Sequence, residues 1–238
     1  MNIIITMAGA SNRFFKEGYT KPKYMLVLEG KTVFENSILR YKSLFNQSDF
    51  TFVIRNIFNT KDFVDYQCKL MGLRKYQIIC LDNVTEGQAE TVYMALKLKK
   101  ILAEESILIG NIDTFSKPFS FSEIMFNSDG FLEVFKGQGN HWSFAKTIKN
   151  STRVIKTAEK ERISEYCSTG VYYFKRSIDY IQAFENALKY KQKSKNEYYV
   201  APLYNYLIDS GLNIQIVKRK FTDFRFCGTP EEYIYLKK

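Results

Sequence analysis

Near its N-terminus the chain reads Ile3-Ile4-Ile5-Thr6-Met7-Ala8-Gly9-Ala10-Ser11-Asn12-Arg13, and Lys21-Pro22-Lys23 follows after a short spacer. The apolar run predicts a buried strand, and the small residues after it predict a tight turn. Backbone N–H groups in such a turn can approach an anion closely, while a nearby Arg and Lys neutralise its charge. The stretch therefore predicts a phosphate-binding loop of the kind that holds a nucleoside triphosphate.

Strand-like and helix-like segments alternate through the first half of the chain. Apolar runs typical of strands occupy residues 2–7, 50–55, 76–81 and 106–110. Apolar residues at helical spacing predict helices over residues 32–45 and 88–102. Because this alternation is typical of βαβ units, we predict an α/β fold with a mostly parallel central sheet.

The second half of the chain has a different pattern. Shorter strands are predicted at residues 130–136, 143–148, 153–157 and 170–174, and they indicate a small antiparallel extension. Helices are predicted at 177–195, 199–209 and 230–236, a strand at 213–218, and a C-terminal helix cap at Gly211. No Pro-, Gly- or Ser-rich linker divides the halves, so we predict a single domain over residues 1–238.

Basic residues outnumber acidic ones by 35 to 25, which gives a formal net charge of +10. Such an excess suits a polyanionic partner, whether nucleic acid, acidic lipid or a phosphorylated small molecule. The lysines are spread in short groups, such as residues 97–100, 189–195 and 218–220. We interpret these groups as solvated faces.

Several classes of protein are disfavoured by what the sequence lacks. We find no secretory signal and no apolar run near the roughly twenty residues that a membrane span needs, so we expect a cytoplasmic protein without a membrane partner. The four cysteines are far apart, and His141 is the single histidine. Zinc sites, disulfides and Ser-His or Cys-His catalysis are therefore not expected.

The loop at Ala8-Gly9-Ala10-Ser11-Asn12-Arg13 fits neither a Walker loop nor the Gly-x-Gly-x-x-Gly fingerprint. Together with Lys21-Pro22-Lys23 it resembles the signature of the sugar-phosphate nucleotidyltransferases, with Ser11 at the position of a common second glycine. The resemblance implies that residues 8–11 cradle a triphosphate. It further implies that Arg13 supports the departing pyrophosphate and that Lys23 contacts the phosphates around the reacting centre.

Two further segments of the first half match that family. Glu86-Gly87-Gln88-Ala89 resembles its base-reading segment, which assigns Gly87 and Gln88 to the nucleobase; an ordinary helix start is the alternative interpretation. Asn111 and Asp113 follow the apolar strand at 106–110, at an edge where ligands bind in open α/β sheets. By the resemblance Asp113 holds Mg²⁺, and we assign Asn111 to the acceptor; a loop-capping Asp is the alternative.

The second half resembles the family's acceptor-binding segments. Lys160, in Glu159-Lys160-Glu161, would face the acceptor phosphate, although a charged surface turn is the alternative. Gly170 matches a glycine against which the acceptor packs, and Glu197 matches a Glu that binds sugar hydroxyls. A carboxylate favoured by a helix dipole is the competing interpretation of Glu197.

The end of the chain resembles the family's Gly-Thr-Pro-Glu ending at Gly228-Thr229-Pro230-Glu231. Many members carry a second metal-binding Asp two residues before that glycine, where this chain has Phe226. Asp223 lies nearby in a different register. We therefore treat Asp223 as a second candidate for the Mg²⁺ site.

The resemblance runs from Asn2 to Tyr233 and implies a three-layer α/β sandwich with a Rossmann-like central sheet. It further implies that a nucleoside monophosphate passes from a triphosphate to a phosphorylated acceptor, such as a sugar 1-phosphate. Pyrophosphate would leave, and the product would be an activated precursor for surface polysaccharide. The acceptor reacts without a general base because a phosphate monoester is already nucleophilic at neutral pH.

Other functions remain open from the sequence. One is a glycosyltransferase with a nucleotide-sugar donor, although Arg13 and Lys23 would then have no evident role. Another is a cytidylyltransferase acting on a non-sugar phosphate such as phosphocholine or a polyol phosphate. A basic nucleic-acid-binding protein with aromatic stacking platforms is a third. We expect no nucleic-acid partner, and a homo-oligomer is left open.

Overall fold

In the computed structural model, strands and helices alternate along the first half of the chain. The structure describes residues 1–118, 120 and 123–238, and of residues 123 and 124 it describes the backbone alone. The strands are β1 (Asn2–Met7), β2 (Val27–Leu28), β3 (Lys31–Thr32), β4 (Asp49–Ile54), β5 (Tyr76–Cys80), β6 (Ile107–Gly110), β7 (Thr114–Ser116), β8 (Gly130–Lys136), β9 (Ser143–Thr147), β10 (Val154–Glu159), β11 (Tyr166–Phe174), β12 (Ile214–Arg219) and β13 (Phe224–Phe226). The α-helices are α1 (Asn12–Lys16), α2 (Val33–Ile38), α3 (Thr60–Leu70), α4 (Gln88–Lys99), α5 (Glu123–Phe126), α6 (Ser177–Lys189), α7 (Tyr204–Asp209) and α8 (Pro230–Lys237). Short 3₁₀ segments lie at Lys23–Met25, Leu39–Leu44, Ala201–Leu203 and Phe221–Asp223.

The chain divides into two units, each assembled from separate stretches of sequence. The first unit comprises Met1–Ile4, Thr85–Gly110 and Phe121–Phe221. The second comprises Ile5–Val84, Asn111–Ser120 and Thr222–Lys238. Neither unit is continuous in sequence, so a change of composition along the chain does not mark the boundary between them. A single domain over residues 1–238 stays a prediction.

The first unit is built around β8 and β11. These strands pair antiparallel, and β12 pairs parallel to β8 on its other side. β11 also pairs antiparallel with β6 and β9, and β9 with β10. Helices α4, α6 and α7 pack together. Their buried aromatic side chains include Tyr180 and Tyr204, and the Tyr204 ring stacks on Phe174 at 4.4 Å.

The second unit contains the phosphate-loop end of the sequence. β4 and β5 form a parallel pair, with Phe52 opposite Ile78. β7 pairs antiparallel with β13, and β2 with β3. A cluster of buried side chains links these pieces with α1, α2 and α8: Phe14, Leu28, Val33, Phe115, Cys227 and Tyr233. This cluster fixes the start of α1 beside the start of α8.

The expected fold class is confirmed: the chain has a mixed α/β fold with a mostly parallel central sheet and antiparallel additions. Much of the aromatic content lies in the cores, because Phe34, Phe50, Phe52, Phe131 and Phe135 are almost completely buried. Those rings are unavailable as nucleic-acid stacking platforms. Among the helices of the described residues, none combines the length and apolar content that a bilayer crossing requires.

Several predicted elements differ from the structure: the helix expected at 88–102 ends at Lys99, and the helix expected at 199–209 is α-helical only over Tyr204–Asp209. The helix expected at 32–45 is α-helical only to Ile38 and then tightens into a 3₁₀ segment, which is common at helix ends. The helix expected at 177–195 ends at Lys189, because Lys191 and Lys195 adopt left-handed backbone angles despite good helix propensity. The strand expected at 170–174 begins at Tyr166, and an irregularity between Ser168 and Tyr172 interrupts its pairing.

Candidate active site

The loop between β1 and α1 has the features of an anion cradle. Ser11 adopts a left-handed conformation with φ of 52°, and α1 begins at the next residue. Among the described residues, the N–H groups of Gly9, Ala10 and Ser11 have no hydrogen-bond acceptor. A Cβ placed on Gly9 would meet nothing within 4 Å, so the space beside this backbone is open. Unpaired amides beside open space are what a phosphate group requires.

Lys23 connects this loop to Asp113. Its backbone N–H donates to Ser11 Oγ at 3.4 Å, and its Nζ contacts Asp113 Oδ2. The preceding Pro22 is buried with φ of −56°, and the chain then enters the 3₁₀ segment that carries Lys23. About a fifth of each side chain remains exposed, 20% for Lys23 and 23% for Asp113. A predicted phosphate ligand and a predicted metal ligand therefore form one ion pair at a partly exposed position.

The junction between β13 and α8 supports Asp113 from the other side. Cys227 N donates to the Asp113 carbonyl at 2.8 Å. A Cβ on Gly228 would lie 3.4 Å from Asp113 Oδ2, so the carboxylate lies close to the bare backbone of that glycine. Burial is the main cause that raises the pKa of the Cys227 thiol to about 12, and the Asp113 charge adds to it. That thiol is neutral at physiological pH.

Asp223 does not join Asp113. It forms an ion pair with Lys117 at 3.1 Å, and β7 separates Lys117 from Asp113 along the chain. At about 3.3 Å per residue, the four steps from Asp113 to Lys117 displace Asp223 by roughly 13 Å from Asp113 along the strand. Phe226 instead lies opposite Thr114, next to Asp113. Within the described residues no cluster of three or more His, Cys, Asp or Glu side chains forms a metal-binding group.

A single carboxylate is nevertheless compatible with Mg²⁺. This ion commonly binds through one or two protein carboxylates, with substrate phosphates and waters as the remaining ligands. The Asp113 carboxylate is partly exposed, and its partner in the ion pair is the Lys23 ammonium. The donor set therefore fits Mg²⁺ that enters together with a triphosphate, and it gives no support to Asp223 as a ligand.

Arg13 and Asn111 have different surroundings within the second unit. The Arg13 side chain is exposed on α1, and its charge contributes to lowering the pKa of Glu231, after hydrogen bonds from the Glu231 backbone and Thr229. Asn111 Nδ2 donates to Thr114 Oγ1 at 2.9 Å. Arg13 is thus accessible to a ligand, whereas Asn111 is engaged with the start of β7.

Gly87 lies against the backbone of Tyr198 in the first unit. Its φ of 126° belongs to a region reserved for glycine, and a Cβ there would lie 2.4 Å from the Tyr198 carbonyl oxygen. Two hydrogen bonds join the segments: Tyr198 N donates to Glu86 O at 2.7 Å, and Ala89 N donates to Tyr198 O at 3.0 Å. This close approach explains the glycine by itself. Base contact by Gly87 and Gln88 stays a prediction.

Lys160 and Glu197 are brought together through Tyr199. The Lys160 ammonium donates to the Tyr199 hydroxyl, which in turn donates to Glu197 Oε2. Lys160 also lies over the Tyr199 ring, 4.5 Å from its centroid. Glu197 is exposed and Lys160 half-buried. The two predicted acceptor residues therefore present a cation and a carboxylate side by side.

Glu159, next to Lys160 in the chain, belongs to a group of hydrogen-bonded polar side chains. Glu159 accepts a hydrogen bond from Ser143 Oγ, to which Tyr172 also donates at 3.2 Å. Burial raises the pKa of Glu159, and the Lys160 charge opposes that shift. Gly170 has φ of 86° and donates to Ser168 Oγ at 3.1 Å in the irregular part of β11. Contact of Gly170 with the acceptor stays a prediction.

Tyr199 is the participant that sequence reasoning missed. Its position in Glu197-Tyr198-Tyr199 was visible, but a tyrosine beside apolar residues is usually part of a core. Tyr198 fits that expectation with 4% exposure. The useful signal is the alternation of the extended chain, which directs residues 197 and 199 away from the core that residue 198 enters.

No protein-family model and no curated protein matches the chain. Among solved structures it is similar to an inositol-1-phosphate CTP transferase from T. maritima, with 15% identity, a TM-score of 0.73 and coverage of 99% of this chain and 94% of that one. It is also similar to a UDP-glucose pyrophosphorylase complexed with UDP-glucose, at 12% identity, a TM-score of 0.74 and coverage of 99% and 96%. At such identities these two similarities concern the fold.

A nearer relative carries the family assignment. The chain is 44% identical to a nucleoside-diphosphate-sugar pyrophosphorylase from Vibrio cholerae RC9, over 98% of each chain and with a TM-score of 0.93. The chain is therefore a nucleotidyltransferase and belongs, with the nucleoside-diphosphate-sugar pyrophosphorylases, to the sugar-phosphate nucleotidyltransferases.

Proposed function

We propose that this enzyme transfers a nucleoside monophosphate from a nucleoside triphosphate to a sugar 1-phosphate, using Mg²⁺, and releases pyrophosphate. Family membership supports this reaction class. The observation that carries the proposal is the Lys23–Asp113 pair beside a loop with unpaired amides. A cation, a metal-binding carboxylate and free backbone donors are the groups that a triphosphate needs around its reacting phosphate.

The chemistry requires alignment more than covalent participation. An oxygen of the acceptor phosphate forms a bond to the α-phosphorus, and the bond from that phosphorus to the bridging oxygen of pyrophosphate breaks. Both reactants are anions that repel each other, so positive groups must offset their charge. The attacking oxygen carries no proton that has to be removed at neutral pH. The reaction therefore requires no catalytic histidine, and His141 is the single histidine of the sequence.

Residues of the second unit provide for the triphosphate. The amides of Gly9, Ala10 and Ser11 would donate to its oxygens, and the exposed Arg13 would offset charge on the leaving pyrophosphate. Lys23 is tied to Ser11 and would contact the phosphates near the breaking bond. Asp113 would hold Mg²⁺, which neutralises phosphate charge when bound.

Residues of the first unit provide for the acceptor. Lys160 would contact its phosphate, and Glu197 would accept hydrogen bonds from sugar hydroxyls. A cation and an exposed carboxylate side by side suit a molecule with an anionic group and several hydroxyl donors. Gly87 and Gln88 would meet the nucleobase, and Gly170 the acceptor.

The test is a screen of pyrophosphate release. The purified protein is incubated with each common triphosphate, with dTTP, and with a panel of phosphorylated acceptors that includes phosphocholine and a polyol phosphate. We expect turnover that depends on one triphosphate, one sugar 1-phosphate and Mg²⁺. Turnover restricted to phosphocholine would replace the acceptor class, and the absence of pyrophosphate release with every pair would refute the proposal.

Two variants test the residue roles. Lys23→Ala is expected to lower turnover by about 10²- to 10³-fold, since it removes one positioned charge-stabilising group. Lys31→Ala removes an equally charged, exposed residue in the same unit and serves as the matched control. Asp113→Asn should abolish the Mg²⁺ response, whereas Asp223→Asn should retain it. Near-normal activity of Lys23→Ala would remove Lys23 from the mechanism.

A further inference from the structure

We infer that Tyr199 is a positioning residue, which holds Lys160 and Glu197 at a fixed separation for the acceptor. This inference rests on the proposed acceptor roles of those two residues. Its basis is the direct chain of contacts in which one phenolic oxygen meets both side chains. No motif assigns a role to Tyr199.

The hydrogen bonds of this chain can run in only one direction. A lysine ammonium has three donors and no acceptor, and an ionised carboxylate has acceptors only. The Tyr199 hydroxyl must therefore accept from Lys160 and donate its single proton to Glu197. A bridging hydroxyl with two charge-assisted bonds leaves neither side chain free to rotate away.

The bridge also sets a distance. Two hydrogen bonds of normal length that meet at an angle of about 120° on the phenolic oxygen place the Lys160 nitrogen and the Glu197 oxygen about 5 Å apart. Direct pairing would bring them to about 3 Å and would satisfy each with the other. With the phenol between them, Lys160 keeps N–H groups and Glu197 keeps an oxygen for a ligand. The hydroxyl thus holds two opposite charges near each other without their neutralising one another directly.

The backbone around all three residues is already fixed. Lys160 N donates to Trp142 O at 2.9 Å, Glu197 exchanges two backbone hydrogen bonds with Ser194, and Tyr198 is bonded to Glu86 and Ala89. What remains to be ordered is the side-chain rotamers. Long side chains such as Lys lose much of their rotamer freedom when they are held. Tyr199 fixes the Lys160 and Glu197 side chains before the acceptor binds, so acceptor binding does not have to order them.

The experiment compares Tyr199→Phe with Tyr206→Phe, using wild-type protein and the best acceptor from the pyrophosphate screen. Both changes delete one hydroxyl. The Tyr206 hydroxyl donates to Gln192, and neither Lys160 nor Glu197 is its partner in that hydrogen bond. For Tyr199→Phe we expect the acceptor KM to rise about 10- to 100-fold, from the loss of two charge-assisted hydrogen bonds. The triphosphate KM and the Tm should stay unchanged. Tyr206→Phe should leave both KM values unchanged.

A double-mutant cycle completes the test. In a Lys160→Met background the additional change Tyr199→Phe should have little further effect on the acceptor KM, because its main partner is gone. An acceptor KM within twofold of wild type for Tyr199→Phe would overturn the inference while leaving the proposed function standing. Equal losses of Tm and of triphosphate affinity would overturn it too, as a purely structural role. Wild-type protein without any pyrophosphate release would refute the proposed function itself, and the positioning role with it.

Discussion

Replacing Gly87 with alanine is expected to destabilise the protein strongly, although the added group is one methyl. The new Cβ would lie 2.4 Å from Tyr198 O, 2.8 Å from Tyr198 N and 3.1 Å from Tyr198 C. All three are backbone atoms, so no side-chain rotation can relieve the overlap. The backbone angles of Gly87 are themselves strained for any residue with a side chain.

The magnitude follows from two contributions. Holding alanine in this glycine-only region costs about 1–3 kcal/mol. Moving Tyr198 away stretches the bonds to Glu86 O and from Ala89 N, and each is worth about 0.5–1.5 kcal/mol. The unfolded chain becomes less flexible by about 0.4–1 kcal/mol, which offsets part of the sum. The expected loss in free energy of unfolding is therefore about 2–5 kcal/mol.

Urea unfolding followed by circular dichroism measures this loss, and Gly211→Ala is the matched control. Gly211 lies in the same unit and also has positive φ, 82°, but a Cβ there would meet nothing within 4 Å. Its substitution is expected to cost only the backbone strain, about 1–2 kcal/mol. If Gly87→Ala costs no more than Gly211→Ala, the close approach of Tyr198 is not real and our explanation of this glycine is wrong.

Three further predictions concern the second unit. Lys23→Ala removes the lysine that pairs with the Asp113 carboxylate. Mn²⁺, used as a probe in a titration, should therefore bind the nucleotide-free variant about three- to tenfold more tightly than the wild type. Weaker binding would contradict a competition between the lysine and the metal for Asp113. Thr229→Ala removes the capping box of α8 and should lower the free energy of unfolding in urea by about 1 kcal/mol, and no measurable change would show that the cap is unimportant. A thiol reagent at pH 8 should modify the exposed Cys80 rapidly and leave Cys227, whose pKa is about 12, unmodified; peptide mass spectrometry that finds Cys227 labelled first would refute its burial.

The elements that were predicted well are those with a clear apolar pattern, either a continuous buried run or a helical spacing. β1, β8 and the start of α4 lie where the sequence pattern places them, because their apolar residues face a core directly. Helix ends were predicted less well. Lys191 and Lys195 have helix-favouring side chains, but both have left-handed backbone angles, and Ser194 and Glu197 exchange backbone hydrogen bonds there. Short strands such as β7 and β13 carry too few residues to show any period.

The proximity of the candidate residues was predictable where they are near in sequence, as for the loop and Lys23. It was less predictable where distant residues meet. Asp223 is near Gly228 in sequence, but the register of β13 against β7 directs it to Lys117. Gly87 lies against the backbone of Tyr198, a contact that the sequence did not indicate, and its contact with a nucleobase stays a prediction. Pairing of separate segments is a long-range property, and a single sequence does not reveal it.

The contact between residues 86–89 and Tyr198 limits how acceptor choice can diverge among relatives of this enzyme. Glu197 and Tyr199 belong to the group that we propose for acceptor binding, while Tyr198 between them is bonded through its own N–H and carbonyl to the segment that we propose for the base. Side chains at 197 and 199 can change without disturbing those backbone bonds. An inserted or deleted residue would shift them out of register at once. With the proposed acceptor roles, acceptor preference would be open to substitution and closed to changes of length, and libraries that vary it should keep residues 196–200 at constant length.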